Sequence, residues 1–208
     1  LLADASDRGA ALRHIASAFA DMGEPDRALE VVGQISGDYD RIAVLMSAAK
    51  AQAAAGRADD ALATASRIDS ERYRAVALGR VAAEMARQGE EEKAFALIAH
   101  AFRLLRAIDL PYARSYAAGQ LALSLTDIGL RYGEKAFSRA IEATQSIDNE
   151  DLRAHSLWTI AAAQARMTLT ADSAATVRLA TTATERIGSS MSQVWMLADI
   201  ASERIAAG

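Results

Sequence analysis

The sequence contains no cysteine and only two prolines, and aromatic residues make up just 5% of its 208 positions. Without cysteine there is no disulfide, no thiolate nucleophile and no thiolate metal site, and cytoplasm and periplasm both stay open as compartments. No apolar run approaches the ~20 residues that a membrane-spanning helix requires, so no membrane insertion is expected. An excess of positive charge is missing too: 23 Lys and Arg against 27 Asp and Glu leave a formal net charge of −4. Proteins that bind nucleic acid draw much of their affinity from cations set against phosphates, so no nucleic-acid partner is expected. No stretch alternates apolar and polar residues with period two, which removes the main signature of β-strands.

What is present is a helix-forming composition. Hydrophobic residues account for 51% of the chain, supplied mainly by Ala, Leu, Ile and Val. Alanine is the strongest helix former, and its small side chain lets helices approach closely. A length of 208 residues allows one or two compact domains, or one repeat array. Internal self-similarity selects the array. The segment Arg8 to Gly23 recurs as Arg41 to Gly56, Arg74 to Gly89, Arg114 to Gly129 and Arg153 to Thr168, with a last copy from Gln193 to Gly208. Four residues after each Arg, or after Gln193, stands Leu12, Leu45, Leu78, Ala118, Leu157 or Leu197. Three further on is Ile15, Ala48, Val81, Leu121, Ile160 or Ile200, each followed by an alanine: Ala16, Ala49, Ala82, Ala122, Ala161 and Ala201. That spacing draws one apolar stripe along an amphipathic helix.

The expected stops of these first helices are Gly23, Gly56, Gly89, Gly129 and Gly208, with Thr168 the exception. Glycine enters the left-handed conformation that closes a helix at no steric cost. A second helix follows each turn, opened by Pro25-Asp26, Asp59-Asp60, Glu90 to Glu92, Glu134 or Asp172. Carboxylates and proline suit a first helical turn, so these acids read as helix starts rather than metal ligands or catalytic groups. The second helices carry a small residue, Ala28, Ala61, Ala94, Ala136 or Ala175, and finish at Ile35, Ile68, Ile108, Ile147 and Ile187. Six residues after each of these isoleucines comes the next Arg, or Gln193. Repeats three to five lose the 33-residue spacing and run six or seven residues longer. Part of that excess is expected in the second helix and part in the turns before Ala136 and Ala175. The repeats fall at about 8–38, 39–71, 72–111, 112–150 and 151–190, with a terminal helix over 191–207, in one array spanning 1–208. Leu2 has the phase of the isoleucines, so Leu1-Leu2 reads as the tail of a preceding second helix and further repeats are expected upstream. The terminal helix reads either as a solvating cap or as the start of another pair.

Helix pairs of this length, with a small residue midway along the first helix, Gly at the turn and Ala five residues later, resemble the tetratricopeptide repeat family. The first repeat matches at Leu12, Ile15-Ala16, Phe19, Gly23 and Ala28; the second at Leu45, Ala49, Gly56 and Ala61; the third at Leu78, Ala82, Met85, Gly89 and Ala94. Leu replaces the family's usual Trp, Ala replaces its small Gly, and the closing Pro is missing. The longer later repeats drift towards the lengths of HEAT-like α-solenoids. The resemblance implies an all-α, right-handed α-solenoid of about five antiparallel helix pairs plus a terminal helix. It also implies that the first helices line a concave groove that binds peptides or extended protein segments.

By that geometry the groove takes Arg13, Ser17 and Asp21 from the first repeat, Met46 and Lys50 from the second, and Gly79 and Arg87 from the third. Tyr116, Leu123 and Asp127 follow, then His155, Trp158 and Arg166, then Trp195 and Ser202. The expected partner-binding residues are Trp158, Trp195, Tyr116 and His155, with Arg13, Lys50, Arg87 and Arg166 selecting acidic or carboxylate-bearing ligands. Aromatics and Arg bring large contact area with few rotors. For the two tryptophans a second reading stands beside this one, that they fill packing gaps near the end of the array. The family's clamp for a C-terminal carboxylate is not carried: Arg13, Ser17, Ser47, Val76 and Arg80 occupy its places, and both of its Asn residues are gone. The periodic arginines Arg8, Arg41, Arg74, Arg114 and Arg153 sit at first-helix starts, where their charge opposes the helix dipole. Compensation is expected from Asp7, Asp40, Glu71 and Asp151, or from carbonyls of the preceding helix, as a hydrogen-bonded ladder between repeats.

No catalytic motif is present. His14, His100 and His155 lack a second His at metal-ligand spacing, and there is neither a nucleophile elbow nor a Gly-rich phosphate loop. No enzyme activity, cofactor or metal is therefore expected. The expected function is a protein-interaction scaffold with a protein or peptide partner, its oligomeric state left open. The alternative is a structural subunit that uses the convex face or the array ends. RNA binding by a helical-repeat code ranks last, because Ala43, Val76, Ala83 and Ala162 would line its groove with small apolar side chains.

Overall fold

A computed structural model describes residues 5–207, and side chains over 8–198. Among the described residues the chain is all-α, without a strand, and it divides into two compact units, Leu1–Ala107 and Ile108–Gly208. The first unit holds α1 (Ala5–Asp21), α2 (Pro25–Val32), α3 (Asp38–Ala54), α4 (Ala58–Ser66), α5 (Glu71–Arg87) and α6 (Glu91–Ala107). The second holds α7 (Pro111–Tyr132), α8 (Glu134–Thr144), α9 (Glu150–Arg166), α10 (Thr170–Glu185) and α11 (Ser190–Ala207). Within the first unit, α1 packs on α2 and α3, α3 on α4 and α5, and α5 on α6. Within the second, α7 packs on α8 and α9, and α9 on α10 and α11. Helices therefore pack on their neighbours in sequence, compatible with a helical repeat.

The recurrent alanines are what allow this approach. Ala16, Ala49, Ala82, Ala122 and Ala161 are all buried, as are Ala28, Ala61, Ala94 and Ala136 of the second helices. Ala175 is exposed instead, and buried Thr176 and Ala180 carry the contact face of α10. The neighbouring Ser173 donates its hydroxyl to the Ala161 carbonyl at 2.9 Å, fixing the start of α10 against α9.

Four turns share one hydrogen-bond pattern. Glu24 N–H donates to Phe19 O, Arg57 to Gln52 O, Glu90 to Met85 O and Leu169 to Gln164 O, at 2.8 to 3.0 Å. In each, the preceding residue, Gly23, Gly56, Gly89 or Thr168, has positive φ. This double-bonded stop satisfies carbonyls that a helix end leaves open. Thr168 holds φ 58, a region that a β-branched side chain enters only under strain. Thr168→Gly should therefore stabilise the fold by about 1 kcal/mol, the relief of strain exceeding the added freedom of the unfolded glycine. A lower urea midpoint for the variant would contradict that conformation.

The fourth repeat departs from expectation. Its first helix does not stop at Gly129 but runs on to Tyr132, and Gly133, at φ 67, makes the turn. The expected excess in the turn before Ala136 is thus an extra helical turn of α7. In the third and fifth repeats the excess lies in the second helices, with α6 at 17 residues and α10 at 16 against 8 and 9 for α2 and α4.

The links repeat as well. The N–H groups of Ile35, Ile68, Ile147 and Ile187 donate to the carbonyl three residues earlier, and the isoleucine side chains are buried. The guanidinium of Arg74 donates to Ile68 O at 3.3 Å and that of Arg114 to Ile108 O at 3.3 Å. Arg153 donates to Ile147 O, and Gln193 does the same to Ile187 O at 2.9 Å. The preceding carbonyls are therefore what compensates these side chains, with acids as auxiliaries: Asp148 sits 3.1 Å from Arg114 and Glu150 3.1 Å from Arg153. Arg41 instead pairs with Asp38 at 2.5 Å. Leu1, Leu2, Gly208 and the side chains of Asp7, Ile200, Ala201 and Ser202 lie outside the described residues.

A separate clip joins α2 to α4. Arg57 donates to both carboxylate oxygens of Asp26 at 2.8 and 3.0 Å, and through Nε to Asp60 at 2.7 Å. The hydrogen bonds from Arg57 hold the Asp26 carboxyl below its ordinary value. A carboxyl depressed in the folded state contributes stability above the unfolded value, about 4, and loses it as pH falls through the lower folded one. The difference in urea midpoint between wild type and Asp26→Asn should hold steady from about pH 5 to 7 and close below about pH 4. Widening on acidification would reverse the sign and refute the clip.

Candidate functional site

The residues expected to bind a partner separate into two groups. In the first unit the cations are already engaged. Arg13 Nε lies 2.7 Å from Asp40 of α3. Lys50 and Arg87 flank Glu84, at 4.0 and 2.9 Å, and the Glu84 side chain is buried. Arg13 thus ties α1 to α3 and Lys50 ties α3 to α5, while Arg87 pairs with the same Glu84 within α5. The inner face expected at Met46, Val76, Gly79 and Ala83 is not open to solvent, since all four residues are buried. Small apolar side chains gain from burial, and α5 is enclosed from Ala75 to Ala86 apart from Arg80.

The second unit differs. Tyr116, His155 and Trp195 each stand two residues after the register residue of their helix, on α7, α9 and α11, and all three are exposed. Because α9 packs against both α7 and α11, the three rings form a row across successive helices. One turn earlier, Tyr112, Asp151 and Met191 make a second row, exposed at Tyr112 and Met191 and half-exposed at Asp151. Residues four apart share a helix face, so each column pairs one residue of each row. The patch is aromatic and apolar around one carboxylate. Further along α7, Leu123 and Asp127 are exposed, as expected of them, and Arg166 is exposed at the end of α9.

Trp158 does not belong to this patch. It is half-buried against the cluster of Ala154, Leu157, Ala180, Ala183 and Ile187, on which Met196 also packs. Its indole N–H donates to the Thr184 hydroxyl at 3.3 Å. The packing alternative describes its position, while Trp195, 65% exposed, is open to solvent. Tyr112 and Met191 were not singled out from sequence, and Asp151 was expected only to compensate Arg153, a role the Ile147 carbonyl and Glu150 fill. The signal was available, because each lies four residues before a residue of the ring row.

Among the described residues no group of three or more His, Asp or Glu is placed to hold a metal ion, and no helix is long and apolar enough to cross a membrane. No family model matches the chain, and neither a curated protein nor a solved structure matches it.

Proposed function

We propose that this chain is a tetratricopeptide-like, right-handed helical repeat that holds a segment of a partner protein and carries out no chemistry. The observation behind this reading is the register of Tyr116, His155 and Trp195, three exposed rings at one position of three first helices. An exposed ring is costly to leave in water, and a row of them is the kind of surface that anchors a partner. Arg166 and Leu123 extend the same surface, whereas Arg13, Lys50 and Arg87 act within the first unit.

The rival is a structural subunit that assembles through its outer helices. It rests on Ile15 and Leu197, 49% and 53% exposed, whose counterparts in the inner repeats are buried. Affinity capture with the wild-type chain beside Tyr116→Ala/Trp195→Ala separates the two. Both side chains are exposed, so the variant should keep its helical circular dichroism. A partner captured by the wild type and lost by the folded variant is the expected result. A partner retained by both would overturn the proposal, and its loss on Ile15→Ser or Leu197→Ser would establish the rival.

A further inference from the structure

Resting on that reading, we infer that the partner segment held on α7, α9 and α11 is basic, and that it sets an arginine or lysine over the rings at Asp151. The charges at this end of the second unit carry the argument. Arg114 and Arg153, the cations nearest the patch on α7 and α9, are committed to the Ile108 and Ile147 carbonyls and to Asp148 and Glu150. Neither is free to meet an acidic ligand. Asp151 and exposed Asp109 make no ion pair among the described residues. Arg186 at the end of α10 is exposed with no ion pair among the described residues, but so are Asp109 and Glu185 at this end beside half-exposed Asp151, so the uncommitted charge here is negative in balance.

Asp151 sits in the middle column of the patch, with Tyr112 and Tyr116 on α7 to one side and Met191 and Trp195 on α11 to the other. Aromatic faces attract cations, and Trp most strongly. A guanidinium or ammonium group lying among them gains from the rings and from the carboxylate together, while its stem covers apolar surface. An acidic segment gains from neither. As an acid in the first turn of α9, Asp151 also suits the helix dipole. That role is met equally by a carboxylate shielded from any ligand, and it does not account for the rings.

The test uses the full chain and an array of 12-residue peptides of equal apolar content, carrying either arginines or the same number of glutamates. Binding is read by Trp195 fluorescence, with a Trp195→Phe control. Arginine peptides should bind about tenfold or more tighter than glutamate peptides, a gap of about 1.4 kcal/mol. Asp151→Asn should narrow that gap, and Asp151→Lys should reverse it. Asp151→Lys also guards against a merely structural role, since loss of helix stability cannot create a preference for acidic peptides. Equal binding of both peptide classes, preference for glutamate, or a preference unmoved by Asp151→Lys would overturn the inference. A partner captured through Tyr116 and Trp195 that proves acidic would overturn it too, yet leave the proposed function standing. Retention of that partner by Tyr116→Ala/Trp195→Ala would instead remove the proposed function.

Discussion

Gly129→Ala should destabilise the second unit by about 1–3 kcal/mol, although alanine is the better helix former. In an exposed helix interior the same change would gain about 1 kcal/mol. Here a Cβ at position 129 would stand 2.5 Å from Cε1 and 2.6 Å from Cδ1 of Phe137. Phe137 is buried, among the largest fully enclosed side chains of the chain, so its ring has little room to yield. Overpacking of a filled core costs about 1–3 kcal/mol, occasionally more. For a unit of this size that amounts to a fall in Tm of roughly 5–15 °C. Adding Phe137→Leu should recover part of the loss, which a double-mutant cycle would read as coupling between the two sites. Gly119→Ala is the matched control. The atoms nearest its Cβ would be Cδ2, Cδ1 and Cγ of Leu152, at 3.2 to 3.3 Å, and that flexible side chain can move aside. If Gly129→Ala were neutral or stabilising, the close approach of α7 to α8 would be wrong.

Ala82→Leu should cost a similar amount, about 1–3 kcal/mol. Ala82 is fully buried on α5, in a helix enclosed along nearly its whole length. Three added carbons there must displace close-packed neighbours. Ala58→Leu, at the half-exposed first position of α4, places the same atoms where solvent can give way. Its effect should stay within about 0.5 kcal/mol. Equal melting temperatures for the two variants would contradict the phase assigned to the first helices.

The repeat was legible because one residue type did one physical job in each copy. Glycine at Gly23, Gly56 and Gly89 takes a positive φ, and arginine at Arg74, Arg114 and Arg153 reaches back to an isoleucine carbonyl. Gly129 misled because it keeps the register of a turn while serving as a close-packing site under Phe137. Sequence spacing cannot separate a glycine needed for its φ from one needed for its size. Ala175 misled in a similar way. Counting from the preceding repeats, the contact position falls on Ser173, a polar residue whose hydroxyl bonds the neighbouring helix.

At the candidate site the legible part was the ring row. Tyr116, His155 and Trp195 share one register position, and register is a property of sequence. Trp158 has the same composition signal as Trp195, but its indole faces α10 and meets Thr184. Which side of a helix its neighbours cover depends on helix lengths and crossing, which local pattern does not carry. The engagement of Lys50 by Glu84 is likewise a tertiary fact, whereas Arg87 meets the same carboxylate three residues back on its own helix. The sequence placed Lys50 on an inner face without showing that a buried carboxylate from the next first helix already answers it.

On the proposed function, a partner sits on the exposed rings of α7, α9 and α11. Oxidative footprinting of the chain with and without its captured partner tests this most directly, because several exposed aromatics report at once. Trp195, Tyr116 and Tyr112 should lose reactivity in the complex while Tyr39 of α3, 65% exposed in the first unit, keeps it. Unchanged reactivity at Trp195 and Tyr116, with protection at Tyr39 or on the second helices around Leu179, would place the partner elsewhere and contradict the account.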